Sequence, residues 1–139
     1  MFQDKIKPKY LDDDEIVIVA QLFGLDEIRQ PSADAPLQII DFENQCLALI
    51  HKYELQMIIL TCGSYGSYVI TLHGITLKCT PKVKVADTVG AGDSFTGSFC
   101  ASLLAGKSIA EAHDCAVEVS AFVCTQNGAM PEYPAELKA

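Results

Sequence analysis

Apolar positions along the chain recur with two different periods, and the switches between them outline the secondary structure. Ile16, Val19, Ala20 and Phe23 share one helical face behind the acidic run Asp12 to Glu15. This predicts an exposed acidic turn leading into a helix, with negative charge at the N-terminus where the macrodipole favours it. Gly24 marks its end, and the two prolines of Arg29 to Pro36 predict a loop. Phe42, Cys46, Leu49, Ile50 and Tyr53 again fall on one face, a second helix ending near Glu54. The short apolar run between Gln56 and Thr61 has no alternation, as expected of a strand buried on both faces, and a parallel one because a helix precedes it. Gly63 and Gly66 break that run. Ser67 to Leu72 and Ile75 to Thr80 then form a predicted hairpin about His73-Gly74, with Pro81 to Val85 extending its second arm. After Gly90-Ala91-Gly92, Phe95, Phe99 and Leu103 recur every four residues on a helix closed by Gly106. Ser108 caps a last helix carrying Ile109, Ala112, Ala116, Val119 and Val123 on one face.

This order of elements is α/β in character. A strand as apolar as Met57 to Leu60 requires neighbours on both edges, and the predicted elements supply few. The sheet therefore reads as incomplete in this chain, to be completed by residues preceding Met1 or by a partner. A homo-oligomer is one form of that expectation.

Composition narrows the class. With 139 residues, half of them hydrophobic, and 10 basic against 18 acidic side chains for a net charge of −8, the chain is expected to be one soluble acidic domain over 1–139. No apolar run approaches the roughly 18 residues of a membrane span, and no secretion signal follows Met1. Neither membrane nor nucleic acid is expected as a partner, the largest basic group being Lys78, Lys82 and Lys84. The six cysteines are scattered singly without a C-x-x-C pair, which argues against zinc and for free thiols in a reducing cytoplasmic setting.

The chemistry concentrates in Asp87-Thr88-Val89-Gly90-Ala91-Gly92-Asp93-Ser94-Phe95. Small residues entering a helix leave its first N–H groups pointing outward, an arrangement that holds anions. Asp93 at the end of that turn is placed to accept a proton from a hydroxyl attacking a phosphoryl group. A simple helix cap and chain turn would use the same residues. Other patterns carry less. Gly106-Lys107-Ser108 imitates the end of a P-loop, but Ala101 stands where the first glycine is required, and the segment joins two helices. His51, His73 and His113 have no nucleophile partner motif and read as solvated or core side chains.

The string D-T-x-G-A-G-D, with Phe95 and Gly97 behind it, closely resembles the C-terminal signature of the ribokinase-like (PfkB) carbohydrate kinases. Thr61-Cys62-Gly63-Ser64-Tyr65-Gly66 is similar to the family's T-x-G-x-x-G element, and Asn127-Gly128-Ala129 with Pro131 to its closing segment. The resemblance runs from about Leu11 to Pro131 and covers only the C-terminal half of a typical member, without the sugar-binding N-terminal half and its lid. It implies the C-terminal portion of a three-layer α/β/α sandwich and ATP-dependent phosphorylation of a small sugar, as in fructokinases and ribokinases.

Carried over by position, the resemblance makes Asp93 the catalytic base. Gly90, Ala91 and Gly92 become the anion hole. Thr61, Gly63, Gly66, Cys115 and Asn127 fall on the nucleotide side, Asp87 and Thr88 at a monovalent-cation site such as K+, and Asp12 and Glu15 at Mg2+. Some positions depart from the family pattern. Asp12 replaces Asn in the metal element, Cys115 stands where an Asn is common, and Ser98 stands for Ala or Gly. Two other readings remain open: an ATP- or anion-binding module without turnover, and an inactive truncated fragment that self-associates.

Overall fold

The computed structural model describes residues 8–63, 65–80 and 90–125. The chain divides into two compact units, Met1–Cys79 and Thr80–Ala139. The first unit contains β1 (Pro8–Asp12), α1 (Asp13–Leu22), α2 (Ile39–Lys52), β2 (Met57–Thr61), β3 (Gly66–Thr71) and β4 (Gly74–Cys79). Its four strands lie in the order β1-β2-β3-β4, with β1 and β2 parallel and the remaining pairs antiparallel.

The expectation that Met57 to Leu60 lacks neighbours is corrected here. β2 lies inside the sheet, flanked by β1 and β3, and among the described residues the outer strands are β1 and β4. β1 escapes the sequence reading because it presents little apolar pattern, with Tyr10 and Leu11 behind Pro8 and Lys9. An edge strand needs only its backbone pairing and one buried side chain, supplied by Leu11. The four-stranded open sheet is nonetheless a small α/β piece, in keeping with part of a larger sandwich. Residues Met57 to Leu60 are all buried, as an unbroken apolar strand should be.

Both helices of this unit contribute to one core. Ile16 and Ala20 of α1 and Phe42, Cys46, Leu49 and Ile50 of α2 join Ile58, Leu60, Tyr68 and Ile70 of the sheet. Phe42 meets Tyr68 edge-on at 4.8 Å between ring centroids. The hairpin is shifted by one residue from its expected place. Thr71 pairs with Gly74, so Leu72 and His73 form the turn, and the Thr71 hydroxyl accepts from the His73 N–H and donates to the Gly74 carbonyl, both at 3.1 Å. The expected extension by 81–85 lies outside the described residues.

The second unit contains α3 (Ala91–Leu104) and α4 (Ile109–Cys124). Phe95, Phe99 and Leu103 of α3 are buried, as are Ala112, Ala116, Val119 and Val123 of α4, on the faces their periodicity predicts. Gly106, at φ 90°, ends α3. Its N–H donates to the Leu103 carbonyl and that of Lys107 to the Ser102 carbonyl, each at 3.0 Å, which is the Schellman closure. This structural role replaces any P-loop reading of Gly106-Lys107-Ser108. Ser108 and Glu111 then form a reciprocal capping box, both bonds at 3.1 Å. His113 is buried with its ring edge-on to Phe95, a core side chain as expected.

Ser102 is fully buried, and its hydroxyl has no hydrogen-bond partner among the described residues. Ser102→Ala removes a desolvated polar group and is therefore expected to raise stability by about 1 kcal/mol. A urea titration followed by circular dichroism checks this, and a lower midpoint would reveal a partner for the hydroxyl.

All six cysteines are free. Burial pushes the thiols of Cys46 and Cys62 up to about 12, with Asp13 and Asp12 adding to the effect at Cys62. Neither is a ready nucleophile. No helix among the described residues is long and apolar enough to cross a membrane.

Candidate active site

The residues singled out in the first unit come together at the carboxyl ends of the parallel strands, the edge where open α/β sheets bind ligands. Asp12, the last residue of β1, is the register partner of Thr61, the last of β2. Asp12 is also the N-cap of α1: its Oδ1 accepts the Glu15 N–H at 2.7 Å, and Glu15 Oε1 accepts the Asp12 N–H at 2.9 Å. One oxygen of each carboxylate is thus engaged in the cap. The carboxylates of Asp12, Asp13 and Asp14 lie within 4.8 Å of one another. Burial holds the Asp13 carboxyl above the usual range, and repulsion from Asp14 and then Asp12 adds to this. These hard oxygen donors fit a magnesium-type cation, which would also relieve that repulsion. The sequence pointed to Asp12 and Glu15; the grouping of Asp12 with Asp13 and Asp14 follows from the first-turn geometry of α1.

Beyond Thr61 the chain turns tightly. The Cys62 N–H donates to the Gly66 carbonyl at 2.8 Å and the Tyr65 N–H to the Cys62 carbonyl at 3.1 Å. Gly63 adopts φ 54°, and a methyl group built on it would meet nothing within 4 Å, so a ligand has room to approach its backbone. Gly66 differs. It begins β3, and a methyl group there would lie 2.6 Å from the Lys78 carbonyl oxygen.

In the second unit, Gly90 adopts the left-handed conformation, φ 82° and ψ −3°, as the N-cap of α3, and among the described residues no side chain caps this helix. Ala91, Gly92 and Asp93 are its first three residues, ahead of the 2.9 Å bond from the Ser94 N–H to the Gly90 carbonyl. Their N–H groups therefore precede the helical hydrogen-bond ladder and carry the positive end of the macrodipole. Asp93 is exposed. The Ser98 hydroxyl is turned back onto the helix, donating to the Ser94 carbonyl at 2.6 Å. Cys115 is half-buried on α4. Asp87, Thr88 and Asn127 lie outside the described residues.

Residues 26–136 match the family model of the pfkB family carbohydrate kinases. The chain belongs to that family. The matched stretch contains both glycine turns and Asp93 but not the acidic turn at Asp12 to Glu15. The chain is similar to the ribokinase of Arabidopsis thaliana, with 30% identity over 102 residues that cover 71% of this chain and 27% of the relative. Its identity to the ribokinase of Lactococcus lactis is 35% over 128 residues, covering 78% of this chain and 42% of that one. Among solved structures it resembles Arabidopsis thaliana ribokinase complexed with ribose and ATP. That likeness has a TM-score of 0.68 at 24% identity and covers 89% of this chain and 36% of the other, which shows the ribokinase fold. The chain therefore spans well under half the length of these relatives.

Proposed function

We propose that residues 1–139 act as the nucleotide-binding and proton-accepting half of an ATP-dependent sugar kinase. The observation that carries this reading is the left-handed glycine entry to α3 at Gly90, followed by the exposed carboxylate of Asp93, within a stretch that matches a carbohydrate kinase family. In the proposed reaction a sugar hydroxyl oxygen bonds to the γ-phosphorus of ATP, its proton passes to the Asp93 carboxylate, and the bond to the β-phosphate oxygen breaks to release ADP. The amides of Gly90, Ala91 and Gly92 offset negative charge on the transferring group, where preorganised donors are most effective. The family resemblance assigns Thr61, Gly63 and Gly66 to the phosphate and ribose side of the nucleotide, Cys115 to an adenine-side position, and Asn127 to nucleotide binding. Asp12 and Glu15, joined by Asp13 and Asp14, would hold Mg2+, and the resemblance assigns Asp87 and Thr88 to a monovalent cation. When bound, Mg2+ supplies charge neutralisation for the phosphates. Few residues of this stretch are assigned to the sugar, in keeping with the chain spanning only part of the length of its relatives.

The test is a calorimetric titration of the folded chain with Mg2+ and a non-hydrolysable ATP analogue, with Gly92→Val as the control. Saturable binding that the control loses is the expected result. A folded chain that binds nothing would overturn the reading for these residues alone. The small fraction of its relatives that the chain spans favours a second reading, a nucleotide-binding module that needs the rest of the fold for turnover.

A further inference from the structure

The segment between α1 and α2 carries no motif, yet several side-chain hydrogen bonds fasten it. Ile28 and Leu37 anchor its ends in the core. Between them Arg29 acts as a three-way tie: Nη1 donates to the Ala35 carbonyl at 2.8 Å, and Nη2 to the Pro36 carbonyl at 2.7 Å and to Asp41 Oδ2 at 3.0 Å. The same Asp41 oxygen accepts the Gln38 N–H at 2.8 Å, so the loop is locked onto the start of α2. An ion pair this exposed contributes little as a charge pair. Its content is geometric, because the planar guanidinium presents its donors in a fixed fork that matches the three acceptors.

The locked loop reaches both parts of the proposed site in this unit. Gln30 Nε2 donates to Asp14 Oδ1 at 3.2 Å, within the carboxylate group. At the other end, the Tyr65 hydroxyl meets Gln38 Oε1 and the buried Tyr68 hydroxyl meets the Leu37 carbonyl, each at 3.4 Å. Tyr65 belongs to the glycine turn, and Tyr68 to the strand leaving it. One loop thus spans the acidic turn and the glycine turn.

We propose that Arg29 is a positioning residue: the β1–β2 pairing sets Asp12 beside Thr61, and by closing the 29–38 loop Arg29 steadies the parts of the two turns beyond that pair, Asp14 in the acidic turn and Tyr65 in the glycine turn, and so holds the cation-holding carboxylates and the phosphate-facing backbone in a fixed arrangement. The assignment of cation and phosphate rests on the function proposed above; the mechanical tie does not. Two readouts keep them apart, both on the whole chain: amide hydrogen exchange, and titration with Mg2+ and the ATP analogue. Arg29→Ala is expected to speed exchange at the Glu15 and Cys62 amides while Ile58 and Ile70 in the sheet keep their protection. Binding should weaken by about tenfold, as when groups supporting a metal site are lost. Arg29→Lys, which keeps the charge but not the fork, should restore only part of either effect. Gln30→Ala should loosen Glu15 alone, and Tyr65→Phe Cys62 alone.

Unchanged exchange at both turns in Arg29→Ala overturns the proposal, as does a uniform loss of protection that includes the sheet, which would mark a merely structural residue. Faster exchange at both turns in a chain that binds no nucleotide leaves the tie standing and removes the nucleotide reading. If Arg29→Ala does not fold, the Gln30 and Tyr65 variants decide by the same criterion.

Discussion

Asp93→Asn, placed in an active kinase that contains this chain, is expected to lower turnover by about 10²- to 10⁴-fold, the range for loss of a positioned general base. Nucleotide affinity should stay nearly unchanged. The asymmetry follows from where the residue sits. Asp93 is the third residue of α3, behind the Gly90 to Gly92 turn whose backbone amides form the proposed anion site. Asparagine preserves the shape and the oxygen at that position but cannot take up a proton, so the amides keep their geometry while the attacking hydroxyl keeps its hydrogen. Steady-state kinetics with varied ATP separate the two effects, because loss of a group used only in the transition state lowers kcat and kcat/KM together. Unchanged kcat would return Asp93 to a capping role. A rise in the KM for ATP at constant kcat would make it a binding residue.

The helices and the hairpin are legible in the sequence because their signals are local. Phe42, Cys46, Leu49 and Ile50 declare a face by spacing alone, and they are buried together. β1 is not legible, since Pro8-Lys9-Tyr10 shows no alternation and its pairing with β2 is a long-range backbone event. The same division runs through the site. The Gly90 to Asp93 entry is a one-turn feature and can be anticipated from residue types. The meeting of Asp12 with Thr61 depends on β1, and the tie from Arg29 to Ala35, Pro36 and Asp41 depends on how a loop folds back on a helix. Neither leaves a periodic trace.

Gly66 separates a folding requirement from a ligand requirement, and Gly66→Ala is expected to cost roughly 2–5 kcal/mol, the sum of backbone strain and overpacking. The residue holds φ 157° opposite Cys79 at the start of the β3–β4 pair. An added Cβ would lie 2.6 Å from the Lys78 carbonyl oxygen and 3.3 Å from the Cys79 Cα, and both are backbone atoms that cannot rotate away. The hairpin must open locally or the strand must shift. Gly63, by contrast, has φ 54° and open space around a built Cβ. Gly63→Ala therefore carries only the left-handed penalty, about 1–2 kcal/mol. Urea unfolding of the two variants followed by circular dichroism should reproduce that order. The comparison also decides how nucleotide titrations are interpreted. Weaker binding by Gly66→Ala reports a disturbed sheet, whereas weaker binding by a fully folded Gly63→Ala reports a ligand that approaches the turn where the methyl group now stands. Equal unfolding midpoints for Gly66→Ala and wild type would show that the strand pair yields without cost, and the glycine at 66 would then require a ligand to explain it.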